Sequence, residues 1–154
     1  MSEKSDYIST KVKEIMEDKS LEYPQNVAMS VAWLMGNMKG INLKVINMNG
    51  ASSLNDYSVL GSVTNTVQAQ SLADTIIRQM KLNGLLPKGA EGLTNADWIL
   101  IDLGDVIAHI FLEQARALYD LDSLWSESPI LEIPQEYYFS TPDDESSTSE
   151  GGYF

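Results

Sequence analysis

Trp98-Ile-Leu-Ile-Asp-Leu-Gly-Asp-Val-Ile-Ala-His-Ile-Phe111 is two apolar runs of strand length held apart by Asp102-Leu-Gly-Asp105. So short a separation, with a glycine in it, predicts a β-hairpin joining strands at 98–101 and 106–111. Side chains alternate across a strand, so Trp98 and Leu100 share one face and Ile99 and Ile101 the other. Upstream, Ala69, Leu72, Ala73, Ile76 and Met80 recur at helical spacing and stop at Asn83-Gly84, predicting a helix over 66–83. A Gly- and Pro-containing connection over 85–95 links that helix to the hairpin. Earlier still, residues 43–48 and 57–60 read as strands on either side of the turn dipeptide Asn49-Gly50. The most apolar run, Val27 to Met35, predicts a buried helix over 26–37 with Asn26 as N-cap and Gly36 and Gly40 helping to end it. After the hairpin, 112–124 predicts a partly irregular helix. The order α-α-β-β-α-β-β-α gives a single α/β domain, one mixed sheet layer with flanking helices.

Composition bounds what such a domain does. The chain has 154 residues, 44% of them apolar, which is enough for one core. It has no cysteine, which excludes disulfides, thiolate metal sites and a thiol nucleophile. Its one histidine, His109, excludes a His-rich metal site. A net charge of −12 argues against phosphate-backbone binding, which needs clustered Lys and Arg, so no sequence-specific nucleic-acid contact is expected. No positively charged region leads into an apolar one at the N-terminus. The run from Val27 is about half the ~20 residues a bilayer span requires. A membrane role is therefore not expected, and a cytoplasmic location is.

Charge also divides the chain. Residues 1–23 carry a helical stripe of Ile8, Val12, Ile15 and Met16 and read as an N-terminal helical arm or extension, interrupted by Pro24. Residues 24–125 form the α/β domain. Residues 126–154 hold seven acids and no basic residue, more than half of the net charge, and read as a solvated acidic tail. Only Ile130-Leu-Glu-Ile133 and Tyr137-Tyr-Phe139 could dock, on the domain or on a partner.

Few residues are placed for catalysis. Asp102 and Asp105 flank the hairpin turn as a candidate metal or acid–base pair, but side chains three apart across a turn do not share a strand face. Asp and Gly also belong in tight turns for backbone reasons, and the turn reading is preferred. His109 has neither a recognisable nucleophile nor an orienting partner and reads as a packing or surface residue. Gly61-Ser62 precedes a helix as in a nucleotidyltransferase loop, but Asp74-Thr-Ile-Ile77 supplies one acid where that chemistry needs a pair for Mg²⁺. No phosphate-binding or dinucleotide motif is present. The informative pattern is one-sided charge. Seven acids from Glu91 to Asp122 stand against Arg116 alone, with Trp98, Tyr119 and Trp125 interleaved. Aromatic anchors among acids suit docking on a basic protein.

Four blocks carry a resemblance. Asn83-Gly-Leu-Leu-Pro-Lys-Gly-Ala-Glu-Gly92, the run from Ala96 to Phe111, and Ala115-Arg-Ala-Leu-Tyr-Asp-Leu-Asp-Ser-Leu-Trp125 resemble the ribosomal silencing factor (RsfS/iojap) family. Ser52-Ser-Leu-Asn-Asp-Tyr-Ser-Val59 resembles that family's Ser-Ser-x-x-Asp-Tyr segment, and together they cover about residues 26–125. The resemblance implies a nucleotidyltransferase-like topology without catalytic acids, and no enzyme activity, cofactor or metal. It implies binding to the large ribosomal subunit, at its fourteenth protein, on the face that meets the small subunit. Subunit joining would be blocked there and translation repressed under nutrient limitation. Trp98 becomes the interface anchor, and Asp97, Asp102 and Asp105 candidates for polar contacts, with Glu91 and Gly92 shaping the adjoining loop. A homodimer is left open. The alternative is a nucleotidyltransferase-like enzyme using Asp102 and Asp105 with a divalent metal.

Overall fold

The structure, a computed structural model, describes residues 3–139. Its helices and strands follow as α1 (Glu3–Met16), α2 (Gln25–Asn37), β1 (Ile41–Asn47), β2 (Tyr57–Val63), α3 (Thr66–Leu82), β3 (Gly89–Glu91), β4 (Trp98–Asp102), β5 (Val106–Leu112), α4 (Glu113–Tyr119), α5 (Leu121–Leu124) and β6 (Ile130–Leu131). The strands form one mixed sheet in the order β3-β4-β5-β2-β1-β6. Among the described strands only β2 and β5 are parallel, and α3 provides part of the crossover between them. The expected hairpin is present, with Trp98 opposite Phe111 and Ile101 opposite Ala108.

The sheet's first face carries the main core. Val45, Val59, Val63, Ile99, Ile101, Ala108 and Ile110 meet Leu34 and Met35 of α2 and Leu72, Ile76 and Met80 of α3. Every residue of α2 from Val27 to Gly36 is buried, because the sheet lies on one side of it and α1 on the other. This is why its sequence is apolar all round rather than amphipathic.

Residues read as an N-terminal arm are packed into this core. Ile8, Val12 and Ile15 are buried, and the Tyr7 ring stands 5.9 Å from that of Trp33. Asn26, expected to cap α2, has a different task. Pro24 is the N-cap, and the Asn26 amide donates to the carbonyl of Met16 at 2.9 Å, tying the end of α1 to the start of α2. Gly36 likewise does not terminate the helix; it lies inside it, where a Cβ would run into the Tyr137 carbonyl oxygen.

That contact corrects the expectation of a solvated tail from residue 126. Residues 126–139 form a strap: β6 pairs antiparallel with β1 at Val45–Leu131 and Ile46–Ile130, and Leu131, Ile133, Tyr137 and Tyr138 pack on the core. The Phe139 amide donates to the Gly36 carbonyl at 2.8 Å, and Lys39 Nζ lies 5.2 Å above the Phe139 ring. The two apolar patches outweigh the acidic composition because Glu127, Glu132 and Glu136 all point into solvent. The acidic run at 140–154 lies outside the described residues.

Three smaller differences concern element ends. The β2 strand continues to Val63, three residues beyond expectation, and Asn65 then caps α3 by accepting from the Gln68 amide at 2.8 Å. Part of the connection before the hairpin forms β3, an edge strand paired with β4. The last helix is broken at Asp120, whose backbone is left-handed at φ 52°, and Leu121 of α5 packs against buried residues of the sheet.

Candidate functional site

Cross-strand register assigns each side chain on the sheet's second face to a row. One row holds Glu91, Leu100, His109 and Leu60 from β3, β4, β5 and β2; its neighbour holds Trp98, Phe111 and Ser62. The third holds Gly89, Asp102, Ile107 and Ser58. Among the described residues, only part of this face is covered. Ala115 of α4, Leu121 of α5 and Trp125 seal Ile46, Leu60 and Phe111 into a small second core. The other part stays open: Trp98, Leu100, Asp102 and Ile107 are half-buried and Glu91 is exposed. On the outside of α4, Leu118 and Tyr119 are 77% and 52% exposed.

Trp98 sits on the boundary between the two parts. Its indole lies 5.1 Å from the Phe111 ring at 28° and 4.8 Å from that of Tyr119 at 47°. Indole Nε1 donates to His109 Nδ1 at 3.1 Å. This partner is not apparent from His109 taken alone in the sequence. Alternation and register were the available signals, since they place residues 98, 109 and 111 on one face of a hairpin.

The sequence-expected site residues fall into two groups. Asp97, Trp98, Glu91 and Gly92 gather where β3 leaves β4. Asp97 is exposed, and its carbonyl accepts from the Leu112 amide at 2.9 Å. Gly92 has φ +82°, and a Cβ there would strike the Trp98 carbonyl oxygen, so glycine allows the loop to close over the strand. Asp102 and Asp105 lie at the other end of the hairpin, on the order of 13 Å along β4 from Trp98. Asp102 Oδ1 accepts from the Gly104 amide at 2.9 Å, as the turn reading expects. The Asp105 carbonyl accepts from Asp56 and Tyr57, and its carboxylate faces the Tyr23 hydroxyl. The Tyr23 phenol is raised above its ordinary value by burial of the group first and then by Asp105. Among the described residues, no three His, Asp or Glu side chains are grouped to hold a metal ion.

An ion-pair network fastens α4 and α5 over the second core. Arg116 grips Asp122 through Nε at 2.7 Å and Nη2 at 3.0 Å, and its Nη1 donates to Ser62 Oγ at 2.9 Å. Lys44 Nζ is 2.7 Å from Asp122 Oδ1. The Arg116 hydrogen bonds, with help from Lys44, hold the Asp122 carboxyl well below the usual carboxylate range. This contribution is present above about pH 4 and is lost only as the pH falls below it.

His109 titrates in a separate window. It is 4% exposed, and burial first, then the Arg116 guanidinium, pushes its imidazole down from 6.5 to about 4. The unfolded chain therefore takes up a proton near pH 6.5 that the folded chain excludes until about pH 4. Stability from this group is complete above 6.5 and declines as the pH falls through that interval. Denaturant unfolding at pH 7.5 and 4.5 is expected to show wild type losing about 2 kcal/mol more than His109→Asn. Equal losses would show that the imidazole is not held neutral by the fold.

A family model described as "Ribosomal silencing factor during starvation" matches residues 21–151, so the match takes in the strap and leaves out α1. Ribosomal silencing factor RsfS of Haemophilus influenzae is 36% identical over 89 residues, covering 58% of this chain and 87% of that protein. A crystal structure of a Bacillus halodurans protein, 31% identical, superposes with a TM-score of 0.59 over 70% of this chain and 94% of that one. A Chromobacterium violaceum protein shares the fold at 23% identity, with a TM-score of 0.66 over 78% and 94% of the two chains.

Proposed function

The chain belongs to the ribosomal silencing factor family, and from that membership we propose that it docks on the large ribosomal subunit and keeps the small subunit from joining. The contact is made at the fourteenth large-subunit protein, on the intersubunit face, and represses translation in the cytoplasm when nutrients are limiting. The observation that carries this reading is the open part of the sheet's second face. Trp98, Leu100 and Ile107 offer apolar area beside the exposed Tyr119 and Leu118 of α4. Glu91 and Asp102 stand in the same rows and bring negative charge to that area, and the exposed Asp97 directly precedes Trp98. Large side chains in the middle with charge around them suit a protein interface, and the acids steer it toward a basic partner. Trp98 is the anchor of this surface, and Asp105, at the far end of the hairpin, belongs to its periphery.

No helix among the described residues is long and apolar enough to cross a membrane. The family is named for silencing ribosomes rather than for a reaction. Steric exclusion uses no chemistry, and Asp102, a candidate acid for the enzyme reading, is engaged by the turn amide.

Gradient sedimentation of separated subunits tests the reading. Excess protein is expected to keep the subunits apart and to disturb preformed couples much less, since in couples the docking surface is already taken. Unchanged joining at saturating protein would overturn the proposal.

A further inference from the structure

We propose that His109 is a positioning residue for the docking surface: its Nδ1 accepts the Trp98 Nε1–H and selects the orientation in which the indole meets the partner. The inference rests on the reading of Trp98 as the anchor and adds the device that presents it. Stacking against Phe111 and Tyr119 sets the plane of the indole. Stacking alone does not decide which edge of the ring points inward, because turning the indole over keeps both ring contacts. The 3.1 Å hydrogen bond decides it, holding the N–H edge against the buried His109.

The acceptor is itself enclosed by packing. His109 is 4% exposed, its ring lies within 9° of parallel to Phe111 at 6.2 Å, and the Trp125 ring meets it edge-on at 5.8 Å. In its sheet row it stands between Leu100 and Leu60. The charged group that acts on it is Arg116 of α4, which together with burial keeps the imidazole neutral. Neutrality matters because only an unprotonated Nδ1 can accept, which places the ring proton on Nε2. A preformed anchor binds without first losing rotamer freedom, so the bond acts on affinity although neither Nδ1 nor Nε1 touches the partner.

Three variants separate this role from simple packing. His109→Asn sets an amide oxygen near the position of Nδ1, His109→Gln sets one near Nε2, and His109→Leu keeps bulk with no acceptor. In ¹H–¹⁵N spectra, the Trp98 indole N–H, assigned by its loss in Trp98→Phe, is expected to keep its shift and slow exchange in Asn. In Gln and Leu it should move upfield and exchange faster. The Trp33 indole, on the other side of the sheet, reports that the main core is intact. Affinity for isolated large ribosomal subunits is expected to fall about 5- to 10-fold in Gln and Leu and to stay within twofold of wild type in Asn. If Leu does not fold, the contrast between Asn and Gln carries the same information. An unmoved Trp98 signal in Gln and Leu, or equal weakening in all three variants, would overturn the proposal. If Trp98→Ala binds the subunit like wild type, the docking reading itself fails and takes this role with it, while the indole spectra still report on the bond.

Discussion

A chain ending at Trp125 is expected to melt roughly 10 °C below one ending at Phe139. The difference is the strap, whose Leu131, Ile133, Tyr137 and Tyr138 are each half-buried against the main core. Full burial of such a side chain is worth about 1.5–3 kcal/mol, so half-burial of four gives on the order of 4 kcal/mol. The unfolded chain already hides some of that area, which brings the net effect to about 3 kcal/mol. At this chain length each kcal/mol moves the melting temperature by about 3 °C. Truncation also strips β1 of its partner at Val45 and Ile46, leaving an unpaired sheet edge that favours association between copies. Calorimetry on the two truncated chains checks the expectation, and coincident melting curves would mean that the strap contributes nothing to stability.

Trp98→Ala is expected to act on both stability and binding. The indole is half-buried, so its loss costs less than the ~3–5 kcal/mol of a fully buried aromatic, about 2–3 kcal/mol. Part of that loss is local, because Phe111 is uncovered and His109 Nδ1 loses its donor. Affinity for the large subunit is expected to fall at least ~30-fold, the effect of removing ~2 kcal/mol at a hot spot. Stability loss alone does not produce such a fall at a temperature where the variant is fully folded. Leu72→Ala is the matching control: it opens a cavity in the main core at a cost of about 2–5 kcal/mol and leaves the docking face untouched. The expected pattern is normal binding by the folded Leu72 variant and weak binding by the Trp98 variant. Equal binding by the two would assign Trp98 to the core and remove it from the interface.

The amino-acid order was enough to determine the hairpin, the buried helix and the long amphipathic helix. Each is specified by local periodicity: alternation across 98–101, continuous apolarity from Val27 to Met35, and a 3.6-residue stripe from Ala69 to Met80. The same alternation placed Trp98 and Leu100 on one face, and the charge count drew attention to the acids around them. A ribosomal partner is implied by the family resemblance and by nothing in the composition. What lay beyond reach was every feature that depends on two segments distant in sequence. Ile130-Leu-Glu-Ile133 reads as tail until β1 offers it an edge, and Gly36 reads as a helix end until the Tyr137 carbonyl occupies the space where its side chain would be. His109 reads as a lone histidine until the hairpin closes and β4 brings the Trp98 N–H to it. Composition is summed along the chain, whereas burial and hydrogen bonding are settled by whichever surfaces meet after it folds. An acidic segment therefore docks when its few apolar side chains find a complementary groove and its charges remain in water, and only the tertiary structure shows that they do.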